Sequence, residues 1–181
     1  HRHWDDVPSG AAVDPASGSV VWTTPGGGDS TPAVQGDIAA VLSSKESIGF
    51  AAYRISEKGS TALWNHATDA RRSQSSPVIH EGHVFLFEDG DHRCVDLMSG
   101  KVAWSQKVPS TITSPVLADH KFFVVANNGN NLLMLDASPE AYKELGRTNV
   151  KALWGPSPTV ANGRMYLRHR DGVRCYDLSV R

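Results

Sequence analysis

Cysteine is scarce in this chain, with two among 181 residues. Two thiols without metal-ligand spacing exclude a disulfide framework and a cysteine-built zinc module. An excess of charge of one sign is also lacking. Lysine and arginine number 18 against 19 acidic residues, for a formal net charge of -1. No basic surplus is available for a nucleic-acid or anionic-lipid surface, so neither partner is expected. Long apolar runs are missing too. The longest are stretches such as Val84-Phe85-Leu86-Phe87, far short of the roughly 20 residues of a membrane helix, and no membrane span is expected. The opening His1-Arg2-His3-Trp4-Asp5-Asp6 has neither the apolar centre of a signal peptide nor an initiating Met. A processed or truncated chain, with its targeting segment absent, is therefore expected. Helical signal is almost absent as well; residues 138–145 could form one turn but occupy a strand slot. What is present is a composition of 40 % apolar and 20 % charged residues, ordinary for a globular core.

That core is built from a repeat. A Ser/Thr-Pro-x-Val/Ile/Leu start recurs as Thr31-Pro32-Ala33-Val34, Ser76-Pro77-Val78-Ile79, Ser114-Pro115-Val116-Leu117 and Ser157-Pro158-Thr159-Val160, with the prolines 45, 38 and 43 residues apart. Each start runs into a turn (Gln35-Gly36, Glu81-Gly82, Ala118-Asp119, Asn162-Gly163) and then an apolar strand. A third strand ends in Tyr53-Arg54, Val95-Asp96, Leu135-Asp136 or Tyr176-Asp177. A fourth carries Trp64 or Trp104, with Leu145 in the corresponding place of the third repeat. The second strands are apolar at adjacent positions. Val84 and Leu86 then face one side, Phe85 and Phe87 the other. Such strands need cover on both faces. The expected fold is all-β: a β-propeller of four-stranded antiparallel blades, with four repeats present, either half of an eight-bladed ring or a four-bladed unit. Residues 1–12 read as an irregular segment and 13–181 as propeller. An outer strand at 18–24 from a preceding blade is followed by blades at about 30–66, 75–107, 112–148 and 156–181.

Asp14, Gly18 and Trp22 recur with the same spacing as Asp96, Gly100 and Trp104. These two segments resemble the Ala-x-Asp-x-x-Thr-Gly-x-x-x-Trp signature of the pyrroloquinoline-quinone-like (PQQ-like) propeller repeat, with serine in place of its threonine. That repeat builds eight-bladed quinoprotein dehydrogenases and the Bam-complex assembly lipoprotein. The resemblance implies that Trp22, Trp64 and Trp104 dock between neighbouring blades, and that Asp and Gly shape the turn before the outer strand. The end of the chain is similar to the carboxyl end of bacterial members of this family, which implies the C-terminal half of an eight-bladed protein. A periplasmic or extracellular location is implied by the same resemblance.

No catalytic, cofactor-binding or metal-ligating residue stands out, and no cofactor is expected. Asp14, Asp96, Asp136 and Asp177 recur because the blade recurs, which favours a turn role. The adjacent cysteine pair of the family's enzymes is not matched by Cys94 and Cys175, which read as small buried apolar residues. His80, His83 and His92 lie near Glu81, Asp89 and Asp91, but His80-Glu81-Gly82-His83 spans a hairpin and is not a helical zinc motif. The acidic turn Glu88-Asp89-Gly90-Asp91 lacks the spacing of a calcium loop. Asn127-Asn128-Gly129-Asn130-Asn131 reads as a turn. Arg168, Arg170 and Arg174 with His169 read as solvated strand-turn residues. Trp154 stands outside the repeat position, and it is either packing at the central channel or a partner contact. The expected function is a noncatalytic protein-binding or assembly scaffold, whose partner is a second copy, a complementary propeller half or another protein. The alternative is a fragment of a quinone- or metal-dependent oxidoreductase.

Overall fold

Seventeen strands and no helix make up residues 10–68, 74–108 and 113–179, which the computed structural model describes. Three sheets are complete four-stranded antiparallel meanders. The first holds β3 (Ala33–Gln35), β4 (Ile38–Leu42), β5 (Phe50–Ser56) and β6 (Gly59–His66). The second holds β7 (Val78–His80), β8 (His83–Glu88), β9 (Asp91–Asp96) and β10 (Val102–Lys107). The third holds β11 (Val116–Ala118), β12 (Lys121–Ala126), β13 (Asn131–Asp136) and β14 (Glu144–Asn149). Before them, β1 (Gly10–Val13) pairs with β2 (Val20–Thr24); after them, β15 (Thr159–Ala161), β16 (Arg164–His169) and β17 (Gly172–Asp177) form a three-stranded sheet. The chain is a partial β-propeller whose sheets are its blades.

The core lies between blades. Val84, Leu86 and Val95 pack with Ile38, Ala40, Leu42, Phe50 and Ala52 of the first blade. From the same strand, Phe85 and Phe87 pack with Phe122, Val124, Leu133 and Leu135 of the third. Phe123, Val125 and Leu132 then meet Met165 and Leu167 of the last sheet. Strand alternation thus sends neighbouring residues of β8 and β12 into different interfaces, which is why these strands are apolar throughout. Each fully buried side chain of this size stabilises by about 1.5–3 kcal/mol relative to exposure.

Two details differ from the sequence reading. Gly10–Val13, whose first three residues fall in the segment expected to be irregular, is a strand that pairs with β2, Ala12 opposite Trp22; residues 1–9 lie outside the described residues. The second concerns the fourth strands. All of them carry a one-residue bulge against the third strand, so that Trp22 faces Ala12, Trp64 faces Ala52 and Trp104 faces Cys94. In the third blade the shift leaves Gly146 opposite Met134. Gly146, not Leu145, therefore occupies the tryptophan position, and Leu145 is the bulged residue. Counting from the aspartate misses this, because two more residues separate Asp136 from β14 than separate Asp96 from β10. Residues 138–145 form no helix; Glu144 and Leu145 already belong to β14.

Candidate functional site

The recurrent residues bind the blades to one another. Trp22 Nε1 donates to the Ser56 carbonyl at 2.9 Å, Trp64 Nε1 to the Leu97 carbonyl at 2.9 Å, and Trp104 Nε1 to the Ser138 carbonyl at 3.0 Å. Every acceptor lies on the following blade. Gly100 sits beneath the Trp64 indole at φ +73°, and a Cβ there would lie 2.5 Å from Trp64 Cγ. Gly18, at φ +71°, has no neighbour in that direction within 4 Å.

The aspartates close turns. Asp96 Oδ1 accepts from the Ser99 N–H at 2.7 Å and the Ser99 hydroxyl at 2.6 Å, and Asp177 Oδ1 makes the same pair with Ser179. Asp14 accepts from the Ala16 N–H and the Ser17 hydroxyl. Hydrogen bonds to the charged form hold Asp96 and Asp177 below the usual carboxylate range, with the serine hydroxyl as the leading cause; for Asp14 the Ala16 N–H leads. Asp136 differs: it meets Lys143 Nζ at 3.4 Å.

The Ser/Thr-Pro starts form a ladder around the propeller axis, beside the inner strands. The Thr31 N–H donates to Ser76 Oγ at 2.9 Å, the Ser76 N–H to Ser114 Oγ at 2.9 Å, and the Ser114 N–H to Ser157 Oγ at 3.0 Å. Each rung joins one blade to the next. The serine is needed as an acceptor for the preceding blade, a role that no local pattern of the sequence discloses.

The polar clusters separate. Glu88 and Asp91 are buried and meet Arg93, and Asp91 Oδ1 also accepts from Ser105 Oγ at 2.8 Å; these carboxylates are neutralised within the blade. His92 is buried beside Phe87 and Tyr142, and burial drives its pKa down to about 3 despite the opposing charge of Asp91. His83 Nδ1 lies 3.1 Å from the Glu81 carbonyl oxygen. His80 instead faces His120 of the third blade, with ring centroids 5.3 Å apart. His169 leaves the exposed arginines: it is buried, with Nδ1 3.1 Å from the Lys151 carbonyl oxygen and Nε2 3.3 Å from the Tyr176 hydroxyl. The asparagine run is a turn in which Asn127 and Asn128 both have φ +52°. Cys94 is buried, and burial pushes its thiol up to about 12. Cys175 is exposed, contrary to the expectation of a buried residue, because among the described residues no blade covers that face of β17.

The two ends of the blade series are open. At the first end, β1 and β2 lean on the outer part of the first blade and enclose a cavity of about 380 Å³ lined by Ala12, Trp22, Ala39, Val41, Tyr53 and Ile55, among others. At the other end, no fourth strand pairs with β17 among the described residues, and Val173 is 63 % exposed. Positions of the second strand that face the next blade are Ala40 and Leu42, Phe85 and Phe87, and Phe123 and Val125. In β16 the same positions hold Tyr166 and Arg168, with Arg168 exposed. Trp154 lies in the connection into this sheet and is 51 % exposed; the Leu153 N–H beside it donates to the Arg168 carbonyl at 2.9 Å. The fourth sheet thus presents an edge strand and a face of mixed aromatic and cationic character.

Comparison with known proteins places this architecture. A family model described as outer membrane protein assembly factor BamB matches residues 5–179. Among curated proteins, none matches the chain. Of solved structures, BamB from Moraxella catarrhalis superposes with a TM-score of 0.69 at 18 % identity, over 94 % of this chain and 52 % of that one. The computationally designed Ika4 protein superposes at 0.63 and 12 % identity, over 84 % of this chain and 94 % of its own. A europium-containing methanol dehydrogenase reaches 0.55 at 16 % identity, over 70 % of this chain and 25 % of that one. The chain spans about half the length of the BamB structure it matches and nearly the whole of the designed one.

Proposed function

The chain belongs to the PQQ-like propeller family whose matching model is that of the outer membrane protein assembly factor BamB, and from that membership we propose that it is a noncatalytic module that binds protein through its fourth sheet. The observation that carries this reading is the face of β16 and β17. Where the other blades turn Phe85 and Phe87 or Phe123 and Val125 toward a neighbour, this one turns Tyr166 and Arg168, beside a strand edge that is unpaired among the described residues. An unpaired edge adds a strand from another chain through main-chain hydrogen bonds. The exposed arginines select a partner segment that brings carboxylates. A second copy of the chain or a complementary propeller half meets both needs, and the setting is periplasmic or extracellular.

Light scattering behind size exclusion tests the reading. The expected result is a dimer of twice the 19.5 kDa chain mass, or a stable complex once a complementary half is added. The second reading, a fragment of a quinone- or metal-dependent oxidoreductase, is motivated by the likeness to the methanol dehydrogenase. Saturable, calcium-dependent uptake of pyrroloquinoline quinone, followed by its absorbance, would overturn the noncatalytic reading. No uptake is expected.

A further inference from the structure

The hairpin turns of the second and third blades bring together three side chains that no sequence motif links. His80 ends β7, Glu81 follows it in the turn, and His120 lies in the turn between β11 and β12. Glu81 Oε1 is 3.7 Å from His80 Nε2 and 3.7 Å from His120 Nδ1. All three donor atoms lie within 4.8 Å of one another. His80 Nε2 is buried and has no hydrogen-bond partner among the described residues, a costly state for an imidazole unless something else is bound there.

The backbone of the hairpin turn sets where His120 stands. In the equivalent turns of the second and fourth sheets the second position is Gly82, at φ +74°, and Gly163, at φ +70°; in the third blade it is His120, at φ +52°. The two-residue hairpin requires left-handed φ at both central positions, and a residue with a Cβ adopts it at a cost on the order of 1 kcal/mol. Here it directs a mostly exposed imidazole back toward the preceding blade.

We propose that His80, Glu81 and His120 bind one zinc ion across the interface of the second and third blades. Two neutral imidazoles and a carboxylate are a donor set that zinc takes, at about 2.0–2.2 Å per bond, which sets donor atoms about 3.4 Å apart in a tetrahedron. The Glu81 distances are already close to that, so closure requires side-chain rotation and no blade movement. Three protein ligands leave a fourth position for water or for a donor from a partner. The sequence hid the site because its ligands come from different repeats: His83 and His92, the neighbours that sequence suggested, point elsewhere.

The test uses the full chain carrying H1A and H3A, so that the terminal histidines do not contribute. Zinc chloride is titrated in competition with a chromophoric chelator, and cobalt(II) is added separately for its visible absorption. The expected result is one zinc per chain, with intense tetrahedral cobalt bands. H120A, H80A and E81Q each weaken zinc by at least about tenfold, while H83A leaves it unchanged. His120 is exposed, so H120A keeps the fold, and near-ultraviolet circular dichroism checks this. Absence of saturable zinc, or zinc bound equally well by folded H120A, overturns the proposal.

Discussion

His92 shows how one buried side chain sets an acid response. Burial against Phe87 and Tyr142 keeps the imidazole neutral down to about pH 3, whereas in the unfolded chain it takes a proton near pH 6.5. Between those values the unfolded state binds the extra proton. The stabilisation from a neutral His92 is therefore complete above about pH 6.5 and is lost as pH falls toward about 3, by up to about 1.4 kcal/mol per pH unit. Urea titrations from pH 7 to pH 4 should show this decline, and H92F should flatten it. Asp96 acts lower: its depressed carboxyl contributes above its unfolded value near 3.8 and loses that contribution as pH falls further. Gly100 offers a cleaner steric test. G100A must hold a Cβ at φ +73° and at 2.5 Å from the Trp64 ring, so a loss of about 2–4 kcal/mol in urea unfolding is expected. G18A meets no atom within 4 Å, and its loss should stay near the 1 kcal/mol of backbone strain. Equal losses at the two sites would refute the packing explanation.

At the scale of the element, the blades are joined by two kinds of rung, indole-to-carbonyl bonds outside and amide-to-serine-hydroxyl bonds near the axis. S114A removes the acceptor of the Ser76 N–H and should cost about 1 kcal/mol, raising exchange at that amide in hydrogen-exchange measurements. Much at this scale was legible beforehand. Adjacent apolar residues in β8 and β12 already demanded cover on both faces, and alternation assigned Val84 and Leu86 to one side and Phe85 and Phe87 to the other. The fourth strand of the third blade is misaligned at Leu145 by a count from the aspartate, because the connection from Asp136 to β14 is two residues longer than that from Asp96 to β10.

For the whole molecule, the exposed edge of β17 reports on assembly through Cys175. Cys94, two blades earlier on the equivalent strand, is buried by its neighbour blade and its thiol is held protonated. A thiol reagent added to the folded chain should therefore modify Cys175 alone, and C175S should abolish the reaction. As the chain is concentrated, or once a complementary half is added, the rate at Cys175 should fall as the flank is covered. An unchanged rate in a proven dimer would place the contact elsewhere.

Periodicity, turn residues and the Ser/Thr-Pro starts were enough to establish strands, blades and their order, because each of these is a local demand of backbone geometry or of burial on two faces. The proximity of His80 to His120, the exposure of Cys175 beside the burial of Cys94, and the serine ladder were decided by the packing of one blade on the next. Such contacts join residues about 40 positions apart through the curvature of the ring, and a repeat read along the chain carries no record of which side chains that curvature brings within reach.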